Sequence, residues 1–230
     1  MRREIKHPKS IIRLFIIILL FIPINVWMQG IDNAESQEND SISEKLLVLP
    51  FSNMSELYGE NENVRCPICG KIFITGNVPD NAAAYLSDEL VSKLRRKKYY
   101  KKMVTSDSPW GDFDLMAEEN RRLSERELLM TAGRASGADA VMAGYLYRFR
   151  QRVGSKISVD TPASVAFGIH LIDVKTGREL WKGHFDETQR SLSENLFKIG
   201  KFIKRKASWV TAEEMAVSGL EEVLQTLPEK

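Results

Sequence analysis

The chain has 230 residues, 33 of them basic and 31 acidic, with 43% hydrophobic and 28% charged side chains, an ordinary balance for a globular protein with a buried core. The small basic excess sits in the first 30 residues, which hold five Lys or Arg and one acid. The rest carries 28 basic and 30 acidic residues, a net of −2, which argues against a nucleic-acid-binding domain.

Arg2, Arg3, Lys6, Lys9 and Arg13 precede an apolar run from Leu14 to Ile24. This is the charged-then-apolar pattern of an export signal, and its basic end should stay in the cytoplasm. No clean small-residue cleavage site follows, and with Ile11, Ile12, Trp27 and Met28 the stretch nears the roughly 18 residues of a membrane helix. The segment is therefore expected to be either removed or retained as an inner-membrane anchor. No cysteine lies just after the apolar run, where lipid attachment would need one. Residues 31–44 are polar and acidic and read as a linker.

From residue 45 the elements alternate. "KLLVLPF" is a buried strand ended by Pro50, and "KIFIT" is another strand. A helix capped by Asp80 or Asn81 turns Ala83, Leu86, Leu90 and Leu94 to one side, with Arg95–Lys98 on its last turn. "KKMVTS" is a strand candidate. Ser124 and Glu127 form a capping box that opens a helix closed by Gly137. "DAVMAGYLYRFRQ" is a strand, "SENLFKIGKFIKRK" an amphipathic stretch, and Thr211 with Glu214 opens a last helix with Ala216, Leu220, Val223, Leu224 and Leu227 inward. This order predicts one α/β (α+β) mixed-sheet domain over residues 45–230 with helices packed on it, preceded by an N-terminal export or membrane helix.

The clearest hairpin joins "TPASVAFGIHLIDV" to "RELWKGHFDET". Val165, Phe167, Ile169 and Leu171 share one face, and so do Trp181, Gly183 and Phe185. Pairing Leu171 with Trp181, Ile169 with Gly183 and Phe167 with Phe185 gathers the large groups on one side. It leaves Lys175-Thr176-Gly177 as a three-residue loop with glycine in the left-handed position. The same register puts His170 and His184 diagonally together on the opposite face.

In order, "LLVLPFSNMS", "NAAAYLSDELVSKL", "GRASGADAVMAGYLYRF", "VAFGIHLIDVKTGRELWKGHFDET" and a carboxy-terminal helix resemble bacterial envelope lipoproteins. That group is related to the curli-secretion channel protein, the penicillin-binding-protein activator and the amino-terminal domain of TolB. The resemblance implies an α/β sandwich, a periplasmic location and an assembly or binding role without catalytic residues. "RQRVGSKISVDTP" is too short and polar for the membrane-spanning strands of about 9–11 residues that a pore needs. The segment holding both cysteines departs from the better-known members.

Cys66 and Cys69 lie in "VRCPICGKIF". A structural zinc site needs four ligands; His170 and His184 could supply the other two, or a second copy could complete a Cys₄ site. Lys182, between the two histidines, weighs against a cation. A redox pair wants its first cysteine at a helix N-terminus, whereas strand chemistry follows here. In an oxidising compartment the reading preferred from sequence is a tight turn closed by a disulfide.

The remaining motifs are bland. "KLRRKKYYKK" and "KFIKRKASW" could meet anionic lipid, but they suit a solvated helix end and a packed amphipathic face. Asn53-Met54-Ser55 matches a glycosylation acceptor of no weight in a bacterial context. Asp173 and Asp186 sit at strand ends without forming an acid–base pair. No catalytic residue and no cofactor-binding motif is identified, and zinc is the only cofactor in view. The expected partners are another envelope protein or a second copy, and the membrane through the leader, with no nucleic acid and no small-molecule substrate. The alternative function is a zinc-binding or redox-active envelope protein centred on Cys66 and Cys69.

Overall fold

The structure, a computed structural model, describes residues 45–97, 100–105, 123–154, 159–189 and 210–228. The leader, the linker, "SENLFKIGKFIKRK" and residues 106–122 lie outside the described residues. Among those described, no helix is long and apolar enough to cross a membrane.

Five strands form one mixed sheet: β1 (Lys45–Asn53), β4 (Lys102–Thr105), β5 (Ala140–Arg150), β8 (Ser164–Asp173) and β9 (Glu179–Thr188), in the order β4-β1-β5-β8-β9. β1 runs parallel to β4 and β5, while β5, β8 and β9 are antiparallel neighbours. Two small ribbons stand apart from this sheet: β2 (Asn63–Arg65) with β3 (Ile72–Ile74), and β6 (Val153–Gly154) with β7 (Val159–Thr161).

The expected strand at Leu46 does not stop at Pro50. β1 continues to Asn53, with a register shift between Val48 and Phe51. Its pairing with β4 ends at Val48, so the N–H that Pro50 lacks is not needed on that side.

One face of the sheet is covered by α2 (Ala82–Lys97) and α4 (Ala212–Leu224). Alternating strand residues supply Val165, Phe167, Ile169, Leu171, Trp181 and Phe185 to this core, and the helices supply Leu86, Leu90, Met215 and Leu220. Ala82 is the fully buried alanine of α2, and Ala83 is only partly buried. The opposite face carries α3 (Glu125–Ser136) and the β2–β3 ribbon over Val141, Ala143, Tyr145, Tyr147, Ala166 and Ile172. A short helix, α1 (Met54–Tyr58), leads into that ribbon. Asn53 Oδ1 accepts from the amides of Ser55 and Glu56, so the would-be glycosylation acceptor is a helix cap.

Both capping boxes form as the sequence specifies, at Ser124 with Glu127 and at Thr211 with Glu214. Gly137 closes α3 at φ 63°.

Candidate metal centre

The hairpin register inferred from side-chain alternation is the observed one. Leu171 opposes Trp181, Ile169 opposes Gly183 and Phe167 opposes Phe185. His184 therefore lies opposite Gly168, one step diagonally from His170, and the two imidazoles are 5.6 Å apart. The turn differs from expectation. Asp173 N–H donates to the carbonyl of Arg178, which leaves four residues, Val174–Gly177, in the loop. Gly177 is left-handed at φ 71°, and Asp173 Oδ1 accepts from Thr176 N and Oγ1.

The longer loop is balanced by a bulge. The partner of Ile172 is Glu179, while the partner of Leu171 is Trp181, so Leu180 is the extra residue. The bulge reverses the parity of the strand before it. Glu179 joins the histidine face and its Oε1 lies 2.7 Å from His170 Nδ1, while Leu180 turns outward at 37% exposure. Lys182 does not point a free charge at the histidines; its ammonium is 3.3 Å from Glu179 Oε2.

The ribbon brings the cysteines. Cys66 N–H donates to the Lys71 carbonyl and Gly70 N–H to the Cys66 carbonyl, with Gly70 at φ 74°, a conformation that favours glycine. Within this knuckle the backbone around Ile68 and Cys69 favours ionisation of Cys66, and the backbone at Lys71 favours that of Cys69. The ribbon buries Val64, Cys66 and Phe73 against the sheet. Phe73 stacks on Tyr147 at 4.1 Å and lies 5.8 Å from His184. Arg148 pins one end through the Ile74 carbonyl at 2.7 Å and Asp186 at 2.5 Å. Arg126 of α3 pins the other, donating to the carbonyls of Ile68 and Gly177.

Each sulfur then meets one histidine. Cys66 Sγ is 3.2 Å from His170 Nε2, and Cys69 Sγ is 3.3 Å from His184 Nε2. The ligand atoms of Cys66, Cys69 and His170 all lie within 4.8 Å of one another. The expected disulfide is not formed: both cysteines are free.

The electrostatics favour a thiolate at Cys66 and a neutral imidazole at His184. Burial opposes ionisation of Cys66, but the His170 hydrogen bond, the backbone around Ile68 and Cys69 and the His170 charge outweigh it and bring the thiol down to about 6. Burial raises Cys69, and negative charge on Cys66 adds to that despite the Lys71 backbone. Burial, then Lys71 and the other nearby cations, lower His184 to about 4, so it is neutral at pH 7. Burial opposes the Glu179 carboxylate too, but His170 and Lys182 more than compensate and keep it ionised.

Three of the four candidate ligands named from sequence therefore gather in one group, and His184 touches it through Cys69. Glu179 escaped because strict alternation puts Leu180, not Glu179, on that face. Tyr147 escaped because nothing in the sequence says that the ribbon lies over β5. Its buried hydroxyl has no hydrogen-bond partner among the described residues. Its proton is held by burial and then by charge on Cys66.

No protein-family model and no curated protein matches the chain. Solved structures do. The PelC dodecamer from Paraburkholderia phytofirmans is similar at TM-score 0.47 and 15% identity, over 81% of this chain and 89% of that one. Lipoprotein GNA1162 from Neisseria meningitidis is similar at 0.40 and 15%, over 71% and 97%. The LpoB C-terminal domain from Escherichia coli is similar at 0.37 and 16%, over 65% and 87%. These are bacterial envelope lipoprotein-like proteins, the group that the sequence resembles. At such identities and scores the likeness assigns no function.

Proposed function

We propose that the domain is a non-enzymatic binding module of the bacterial cell envelope, exported to the periplasmic side and working through contact with another envelope protein or a second copy. The observation that carries this reading is the placement of apolar surface. Among the described residues six large hydrophobic side chains are exposed, and four of them, Leu57, Tyr58, Ile72 and Ile74, lie on segment 54–76. Ile72 and Ile74 face outward on either side of buried Phe73, each more than half exposed. Exposed apolar side chains on a short helix and the ribbon that follows it suit a protein interface. Asp173 and Asp186 serve a turn and an ion pair, which leaves neither for acid–base work. The leader supports the location.

A photo-crosslinking amino acid placed at Ile72 or Ile74 of the full chain, in cells, tests the reading. A discrete adduct at both positions, and none at exposed Lys175 on the β8–β9 turn, is expected. The adduct mass tells a second copy from a different protein. No adduct at 72 and 74, or equal adducts at 175, rejects the reading.

A further inference from the structure

We propose that Cys66, Cys69, His170 and His184 are the four ligands of one structural zinc ion, which fastens the β2–β3 ribbon to the β8–β9 hairpin within a single chain. This goes beyond the binding role and does not depend on it.

The donor set is the first ground. Two thiolates and two imidazoles suit a tetrahedral zinc ion, with Zn–S near 2.3 Å and Zn–N near 2.0–2.1 Å, so neighbouring sulfur and nitrogen ligands should stand about 3.5 Å apart. The Cys66–His170 and Cys69–His184 separations are 3.2 and 3.3 Å. His184 Nε2 touches Cys69 without joining the tight group formed by the other three ligand atoms. Metal binding therefore draws the His184 ring inward.

The supporting groups are the second ground, and they are independent of the ligand distances. Glu179 accepts from Nδ1 of His170, which leaves the Nε2 lone pair directed at the sulfurs. Gly168 keeps the space between the imidazoles open: a Cβ there would stand 3.4 Å from His170 Nε2 and 3.3 Å from His184 Cδ2.

Four protein ligands leave no position for water, so the ion is structural and not hydrolytic. In an oxidising compartment such an ion would also keep the C-x-x-C pair reduced, since a thiolate shared with zinc is withdrawn from disulfide exchange.

The test is metal analysis of the full chain, purified from envelopes in detergent without chelator, together with cobalt substitution. One zinc per chain is expected, with both thiols titrating only after chelator and denaturant are added. Cobalt in place of zinc should give the intense visible bands of a tetrahedral site and a near-ultraviolet sulfur-to-cobalt band. His184→Ser should weaken or abolish those bands, and Glu179→Gln should keep them while lowering affinity about 10–100-fold. The cobalt spectrum reads the ligand set directly, so it separates a lost ligand from a misfolded variant. A native disulfide between Cys66 and Cys69, one zinc per two chains, zinc retained in Cys66→Ser, or an octahedral cobalt spectrum would each overturn the proposal.

Discussion

Glu179 reaches His170 because Leu180 is bulged out between them and the rest of β9. The contact is 2.7 Å long and its histidine is fully buried. Without the extra residue, alternation would put a leucine on the histidine face and the carboxylate on the aromatic face with Trp181. The bulge is thus a device for placing one acid beside one imidazole. Glu179→Leu should leave the buried Nδ1–H without an acceptor and cost about 1–3 kcal/mol. Urea unfolding of the variant measures it, and an unchanged midpoint would mean that the contact is incidental.

That bulge also marks the limit of what the sequence discloses. The pairing of β8 with β9, the inward aromatic face and the diagonal histidines all follow from period-two alternation and one turn glycine. Glu179 does not, because a bulge breaks the alternation on which the reading depends. The ribbon's position was hidden for another reason. Cys66 meets His170 across 104 residues of chain, and no local propensity encodes such a contact. The disulfide reading rests on compartment and on arguments against zinc and redox sites, and none of these says which side chains arrive beside a thiol. Pro50 misled through a rule that holds for strands paired on both sides; here β1 has a partner on only one side at that point.

Phe73 is the wedge that seats the ribbon, stacked on Tyr147 and 1% exposed. Phe73→Ala removes that wedge, and truncations of this kind cost about 3–5 kcal/mol in a well-packed core. Because the ribbon is a small separate unit, the loss should appear first as local opening. In chelator-treated protein Cys66, 2% exposed in the native fold, should then react with a maleimide far faster, while amides of β5 and β8 keep their protection from exchange. Equal reactivity in the variant and the native protein would show that Phe73 does not hold the ribbon down.

Two glycines separate steric from conformational demands. A Cβ at Gly183 would run into Val223 and stand 2.8 Å from the Trp181 ring, where β9 meets α4. Gly183→Ala should cost about 1–3 kcal/mol by overpacking. Gly70 has open space, with only an Arg65 nitrogen at 3.9 Å, but a φ of 74°. Gly70→Ala should cost about 1 kcal/mol from backbone strain, and Gly70→Asn less, since asparagine tolerates that region. A larger loss at 70 than at 183 would reverse this assignment.

The capping boxes offer a cleaner measurement, since each involves only exposed hydrogen bonds at a helix start. Ser124 Oγ accepts from Glu127 N–H, and Thr211 Oγ1 accepts from Glu214 N–H at 3.2 Å. Ser124→Ala and Thr211→Ala should each destabilise the domain by about 1 kcal/mol. Their effects should add in the double variant, because the two boxes open helices on opposite faces of the sheet and share no partner. Strong non-additivity by denaturant titration would show that the two helix starts interact, or that the helices do not unfold in a single step.

Glu125 supplies a pH dependence away from the cysteines and histidines. Burial at the start of α3 pushes its carboxyl above the usual range, and the hydrogen bond donated by Tyr145 at 2.8 Å only partly offsets this. The folded state therefore binds a proton more tightly at this site than the unfolded chain does. Stability from this group is present in acid and is lost as pH rises from the ordinary carboxylate value through the raised folded one. Glu125→Gln keeps an oxygen for the tyrosine and removes the titration. Its stability should match the native protein in acid and exceed it at neutral pH, read as a widening gap between two urea midpoint curves. Parallel curves, or a variant that falls behind as pH rises, would mean that the helix terminus favours the charged carboxylate more than burial opposes it.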